Sequence, residues 1–263
     1  MKQSTQPTFD NKAWELLTKL APQLSKNIEQ RNPNIYVLSN EVWSPEIYTA
    51  LRGEKAKPNA GHMGVSSLQN LDVAAARRSG FVIFINNLPA MQQVVDLLIT
   101  PLKCPNMDRR QYCKDLYQLV STQVSEDILL DNRDTLKEDL ESELVREGSF
   151  LSNDNSFEYI TGLARQGRLL NLQIDLTDWS SFHRLLGFMI GTKFSVDTFY
   201  LSNVMMHAKH LADSPFAPKA LMASLGGLAS EFPNALMIES DCVDLKPLKV
   251  QMPLLIGDYI KAN

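Results

Sequence analysis

Apolar positions repeat along this chain with two periods, and the switches between them predict its elements. From Ala13 to Gln30, the residues Trp14, Leu16, Leu17, Leu20, Leu24 and Ile28 share one helical face, so residues 1–33 read as an N-terminal helical segment behind a polar start. Asn34–Ser39 is a short β-rich stretch. Ser44-Pro45 supplies an N-cap followed by proline at the first helical position, and Gly53 supplies a stop. His62–Ser66 reads as a strand and Ser67–Arg78 as a helix stopped by Gly80. Phe81–Ile85 is a continuous apolar run, as in a strand buried on both faces, and a further helix begins at Pro89. Strand, helix, strand and helix at this density imply a parallel sheet with crossover connections.

Cys104–Gly167 breaks that rhythm. It is helical and charged throughout, and reads as an insertion over the sheet. The alternation then resumes, with Leu169–Leu176 as a strand and Asp178–Ile190 as a helix capped by Thr177 or Asp178. Ser195–Ser202 is a strand, and Asn203–Leu211 and Pro215–Phe232 are helical. Ala235–Glu239 and Lys249–Ile256, joined around Asp244–Pro247, read as an antiparallel hairpin at a sheet edge. The expected fold is therefore α/β: one domain over 34–263, with an open, mostly parallel Rossmann-like sheet, a helical insertion at about 104–167 and a C-terminal antiparallel hairpin.

In such a sheet, ligands bind outside the carboxyl ends of the strands. That rule selects Ser66–Asn70, Asn86–Asn87, Asp175–Asp178 and Ser202–Asn203, four polar clusters that each follow an apolar run. Ser, Asn and Asp also suit turns on their own account, so each cluster has a purely structural reading beside the functional one. A nucleotide-type ligand asks for a glycine-rich turn after the first strand and an acidic residue after the second. Here Gly64 stands alone, with no G-x-G, and the second strand ends in the uncharged Asn86.

Composition narrows the class without naming a reaction. With 26 Lys and Arg against 30 Asp and Glu, the net charge of −4 argues against broad nucleic-acid binding, which needs a concentrated positive field. Cys104, Cys113 and Cys242 are odd in number and lack C-x-x-C spacing, which excludes a disulfide scaffold or a structural zinc site as expectations. No apolar run approaches the length of a membrane span, and the first residues carry no secretory pattern. A cytoplasmic location, or export by a route without an N-terminal signal, is expected. His207 and His210 share a helix face but have no evident third ligand, so no metal is expected. Cys113 reads as a structural thiol. The stretch Lys137–Glu147 reads as a solvated face, with Glu143 and Glu147 opposed by Lys137 and Arg146.

Three blocks carry a family resemblance: Leu38-Ser39-Asn40-Glu41; Gly64-Val65-Ser66-Ser67-Leu68-Gln69-Asn70 with Phe81–Asn87; and Gln173–Phe182 with Phe199-Tyr200-Leu201-Ser202-Asn203-Val204. In order and spacing they resemble an uncharacterised bacterial family with a class I S-adenosylmethionine methyltransferase-like fold. The sequence departs from that family at Ser66, where the family has glycine, at Ser67-Leu68, where it has Pro-Glu, and at Asn86, where it has Asp. The resemblance implies S-adenosylmethionine as cofactor, contacted by Gly64, Ser66, Gln69, Asn70, Asn86 and Asn87. It implies catalytic roles for Glu41 and Asp175, and a substrate or ligand surface of Ser39, Asn40, Tyr200, Ser202 and Asn203. Methyl transfer needs positioning of acceptor and sulfonium, so it requires no nucleophilic triad. The competing expectation is a non-catalytic binding module on the same fold, meeting a protein partner through the insertion. A third is a transferase or hydrolase using Glu41 as acid or base.

Overall fold

The computed structural model describes residues 9–24, 35–38, 41–53, 56–65, 68–125, 129, 133–202, 204–210, 215–241 and 248–262. The chain begins with helix α1 (Asn11–Leu20), capped by Asp10 and continued by a 3-10 turn over Ala21–Leu24. Strand β1 (Glu41–Val42) and helix α2 (Pro45–Arg52) precede the first pair of the α/β series, β2 (Ala60–Gly64) and α3 (Gln69–Arg77). Then follow β3 (Val82–Asn86) and α4 (Pro89–Leu102). The insertion supplies α5 (Arg109–Gln123), α6 (Arg133–Ser142), a 3-10 turn at Phe150–Ser152 and α7 (Asp154–Arg165). The series resumes with β4 (Leu169–Gln173), α8 (Trp179–Gly191), β5 (Ser195–Ser202), α9 (Val204–His210) and α10 (Ala217–Glu231). It ends in β6 (Leu236–Asp241), β7 (Leu248–Val250), β8 (Leu254–Leu255) and α11 (Ile256–Ala262). No helix among the described residues is long and apolar enough to cross a membrane.

The parallel strands run in the order β4-β3-β2-β5-β6, so the first strand of the series is central and the order reverses beside it. This is the Rossmann-like arrangement of an open α/β sheet. β6 then pairs antiparallel with β7 and β8, which meets the expectation of an antiparallel C-terminal pair.

Alternation along β3 explains the layers. Val82 and Phe84 pack under α3, α4 and the insertion, whereas Ile83 and Ile85 pack under α8 and α10. All four are fully buried, each worth roughly 1.5–3 kcal/mol against exposure. The insertion is not a detached lobe. Leu116, Val120, Leu136, Leu140, Phe150 and Phe157 complete the same core as Val82 and Phe84.

Several boundaries differ from those read in the sequence. Of the Asn34–Ser39 stretch, the described residues 35–38 make a bridge from Ile35 to Leu129, and a strand lies later, at Glu41–Val42. Ile35 and Val37 are apolar because they enter the core under the insertion. Gly80 does not end α3. Arg78 does so, in the left-handed region at φ 54°, while Gly80 is glycine because a Cβ there would stand 2.0 Å from the Pro58 carbonyl oxygen. Asp178, not Thr177, caps α8. The C-terminal pair is not the outer edge along its whole length, because β1 adds to β7. Ile256 opens a helix instead of closing a strand. The expected linker around Asp244–Pro247 lies outside the described residues.

Candidate functional site

The strand order reverses between β2 and β5, and the carboxyl ends of these two strands mark the switch point. The last residue of β5, Ser202, is buried with φ 55°, a left-handed conformation that costs a non-glycine residue roughly 1–2 kcal/mol. Pairing of β5 with β6 is irregular between Tyr200 and Ser202. Such conformations persist where the surroundings hold them, and they collect at functional sites. Here the hold includes Glu41, brought in by β1: its Oε1 accepts hydrogen bonds from Ser202 Oγ and Ser240 Oγ, each at 2.5 Å. Residues 161 and 199 positions from Glu41 thus meet on one carboxylate.

Beside this cluster, the end of β2 is filled from within. A Cβ at Gly64 would lie 2.1 Å from Asn70 Oδ1 and 2.9 Å from Tyr200 Cβ. Gly64 is therefore glycine to admit its own protein's side chains. Asn70 is fully buried at the start of α3, where its Nδ2 donates to the Val65 carbonyl at 3.0 Å. Its Oδ1 accepts from His62 Nε2 at 2.8 Å, so His62 carries its proton on Nε2 and accepts from Thr198 Oγ1 at Nδ1, also 2.8 Å away. Burial holds this imidazole neutral, lowering its pKa to about 4.

The other side of the switch point is plainer. Asn86 is buried at the end of β3 in register with the buried Gln173, and its carbonyl accepts from Ile174 N at 3.1 Å. Asn87, next along, is exposed. Asp175 is committed to its own turn, with Oδ1 accepting from Thr177 N at 2.8 Å and Thr177 Oγ1 at 2.7 Å. Gln69 is buried, and its Oε1 meets no donor among the described residues; the same holds for the Tyr200 hydroxyl, which meets no partner. Tyr200 packs instead on Trp43, ring centroids 5.3 Å apart. Of the other expected site residues, Ser39, Asn40, Ser66 and Asn203 lie outside the described residues.

The structure thus joins Glu41 to Ser202, and Gly64 to Asn70 and Tyr200, but leaves Asp175 in a turn. Sequence reasoning missed Ser240, His62 and Thr198. Ser240 lies one residue beyond the strand end that the sequence pattern predicts, so the strand-end rule passes it over. His62 and Thr198 face each other across paired strands, which no local pattern reveals. Cys113 is the structural thiol expected: it is buried against the Leu140 carbonyl, and burial raises its pKa to about 12.

One expectation is overturned. Glu143 and Arg146 do not lie on a solvated face. Both turn inward, Arg146 bridging Glu143 and the fully buried Asp72 of α3. Charge periodicity predicted solvation, but α6 ends at Ser142 and the following turns redirect these side chains. Burial pushes the Asp72 carboxyl above the usual carboxylate range, while Arg146 pulls the other way.

A cavity of about 710 Å³ lies at the opposite, amino edge of the sheet, lined by Lys57, Arg77, Asp197, Glu231, Phe232 and Leu255 among others. Its inner wall carries an ion pair in which Arg77 Nε and Nη2 donate to the two Asp197 oxygens at 2.7 and 2.8 Å.

The family described as a domain of unknown function (DUF7790) matches residues 106–216, which run from the insertion through β4, α8, β5 and α9. The match covers less than half of the chain and its description states no activity. No curated protein matches.

Proposed function

We propose that the carboxyl edge at the β2/β5 switch point is a ligand site, and that its ligand is an S-adenosylmethionine-type cofactor in a methyltransferase of unidentified acceptor. The observation that carries this reading is the Glu41–Ser202–Ser240 cluster, a buried carboxylate and a left-handed serine at the strand ends where a Rossmann-like sheet takes its ligands. The residues fit such a group in part. Asn86 fits a ribose hydroxyl, offering both a donor and an acceptor without charge. Gly64 does not fit a close-approach role, because Asn70 and Tyr200 occupy the space beside it. Asn86, Asn87 and Gln69 are the residues that would hold the cofactor, with Glu41 and Ser202 on the acceptor side. The cofactor, when bound, supplies an electrophilic methyl group; the chain's part is to hold and orient the acceptor against it.

Calorimetric titration with S-adenosylmethionine and S-adenosylhomocysteine tests this reading. Micromolar binding is expected, lost in Asn86→Ala while the variant keeps a cooperative melt. Absence of heat and of thermal stabilisation at millimolar ligand overturns it. The filled space at Gly64 favours a second reading in that event: a non-catalytic module that meets a protein partner through the insertion. Substitutions on the insertion surface, and not at the strand ends, would then abolish partner capture.

A further inference from the structure

The insertion and the switch point are joined by a short path of polar contacts, partly buried at Arg146 and fully buried at Asp72. Arg146, just beyond α6, donates from Nε and Nη2 to the Glu143 carboxylate at 2.8 and 2.7 Å and from Nη1 to the Tyr48 hydroxyl at 2.7 Å. Its Nη2 also reaches Asp72 Oδ2 at 2.5 Å. The other Asp72 oxygen accepts from Phe150 N, again in the insertion, at 2.7 Å. Asp72 has no access to water, so protein groups must satisfy its carboxylate. Gly148, at φ 88°, lets the same loop close over Tyr48: a Cβ there would stand 2.1 Å from the ring. Two residues before Asp72 on the same helix, Asn70 holds the Val65 carbonyl and His62.

We propose that Arg146 is a positioning residue for the switch point, fixing the start of α3, and through Asn70 the Val65 backbone at the end of β2, from its place in the insertion. A rigid shared element is what lets such a path carry energy, and the first turn of α3 is that element. The inference goes beyond the ligand reading and stands whichever ligand the edge takes. It makes the insertion part of the site: the Val65 backbone keeps its geometry only while the insertion is docked.

Native-state amide exchange on the full chain tests it. The reporter is the Val65 amide, which donates to the Tyr200 carbonyl at 2.9 Å, together with the amides of Leu71–Val73; the amides of β4 are the reference. Arg146→Lys keeps the charge but not the planar fork that reaches three acceptors at once. Arg146→Lys and Asp72→Asn are each expected to speed exchange at Val65 and α3 by about tenfold, with β4 changed by less than about twofold. The double variant is expected to exchange no faster than the faster single variant, the non-additivity of residues acting through one contact. Unchanged Val65 exchange, an equal rise in β4, or multiplied effects in the double variant each overturn the proposal. If Arg146→Lys does not fold, Asp72→Asn alone is read by the same two reporters.

Discussion

The two edges of the sheet solve different problems with similar residues. At the amino edge, Arg77 makes a two-pronged pair with Asp197, and the pair borders an open cavity with Asp197 16% exposed. At the carboxyl edge, the corresponding partner on α3 is Asp72, fully buried, and its cation comes from the insertion. One pair belongs entirely to the α/β core and has water at its border. The other joins the core to the insertion with no water at the carboxylate. The 710 Å³ cavity opens at the amino edge, whereas the buried polar cluster and the left-handed Ser202 lie at the carboxyl edge. Volume measures where packing is loose, whereas strain and enclosed polar groups mark where the fold bears a cost that simple packing does not require.

The largest test of this contrast is to remove each cation. Arg146→Met leaves Asp72 and Glu143 buried without it, and is expected to cost about 3–5 kcal/mol in denaturant unfolding above pH 7. Arg77→Met leaves Asp197 partly hydrated and is expected to cost about 1–3 kcal/mol. Equal losses, or a larger loss at Arg77, would break the comparison.

The next effect is pH-dependent. Unfolded His62 takes up a proton as pH falls through about 6.5, but folded His62 stays neutral until about 4. Falling pH therefore favours the unfolded chain across that window, by about 3 kcal/mol once pH 4 is reached. His62→Gln removes this contribution, so the stability difference between wild type and variant should shrink in favour of the variant as pH drops from 6.5 to 4. A difference that stays flat across the window would mean that His62 is not held neutral.

Smaller again is the contrast between two glycines. Gly64→Ala must displace Asn70 or Tyr200 and is expected to cost about 1–3 kcal/mol. Gly187→Ala, within α8 with open space around it, is expected to stabilise by about 0.5–1 kcal/mol. If Gly64→Ala is neutral, the space beside it is free for a ligand and the cofactor reading strengthens. The smallest effect is chemical: alkylation at pH 7.5 should label the exposed Cys104 and spare the buried Cys113.

The parts of this protein legible in its sequence are those with a local cause. The apolar run at Phe81–Ile85 and the alternation around it determined a parallel α/β sheet, because a strand covered on both faces can expose no polar side chain. Pro45 at the start of α2 and the Asp178 cap set helix boundaries through contacts a few residues long. The strand-end rule also brought Ser202, Asn70 and Asn86 into consideration, and the family resemblance brought Glu41, though neither separated them from Asp175, whose carboxylate caps its own turn. Tertiary structure alone decided the rest. Glu41 meets Ser202 and Ser240, His62 meets Thr198, and Asp72 meets Arg146, each across 74 to 199 positions. These pairings follow from strand order and from the docking of the insertion. A charged residue near a helix end carries no local mark of which way it will turn, so Arg146 read as solvated until the turn after α6 placed it against a buried carboxylate.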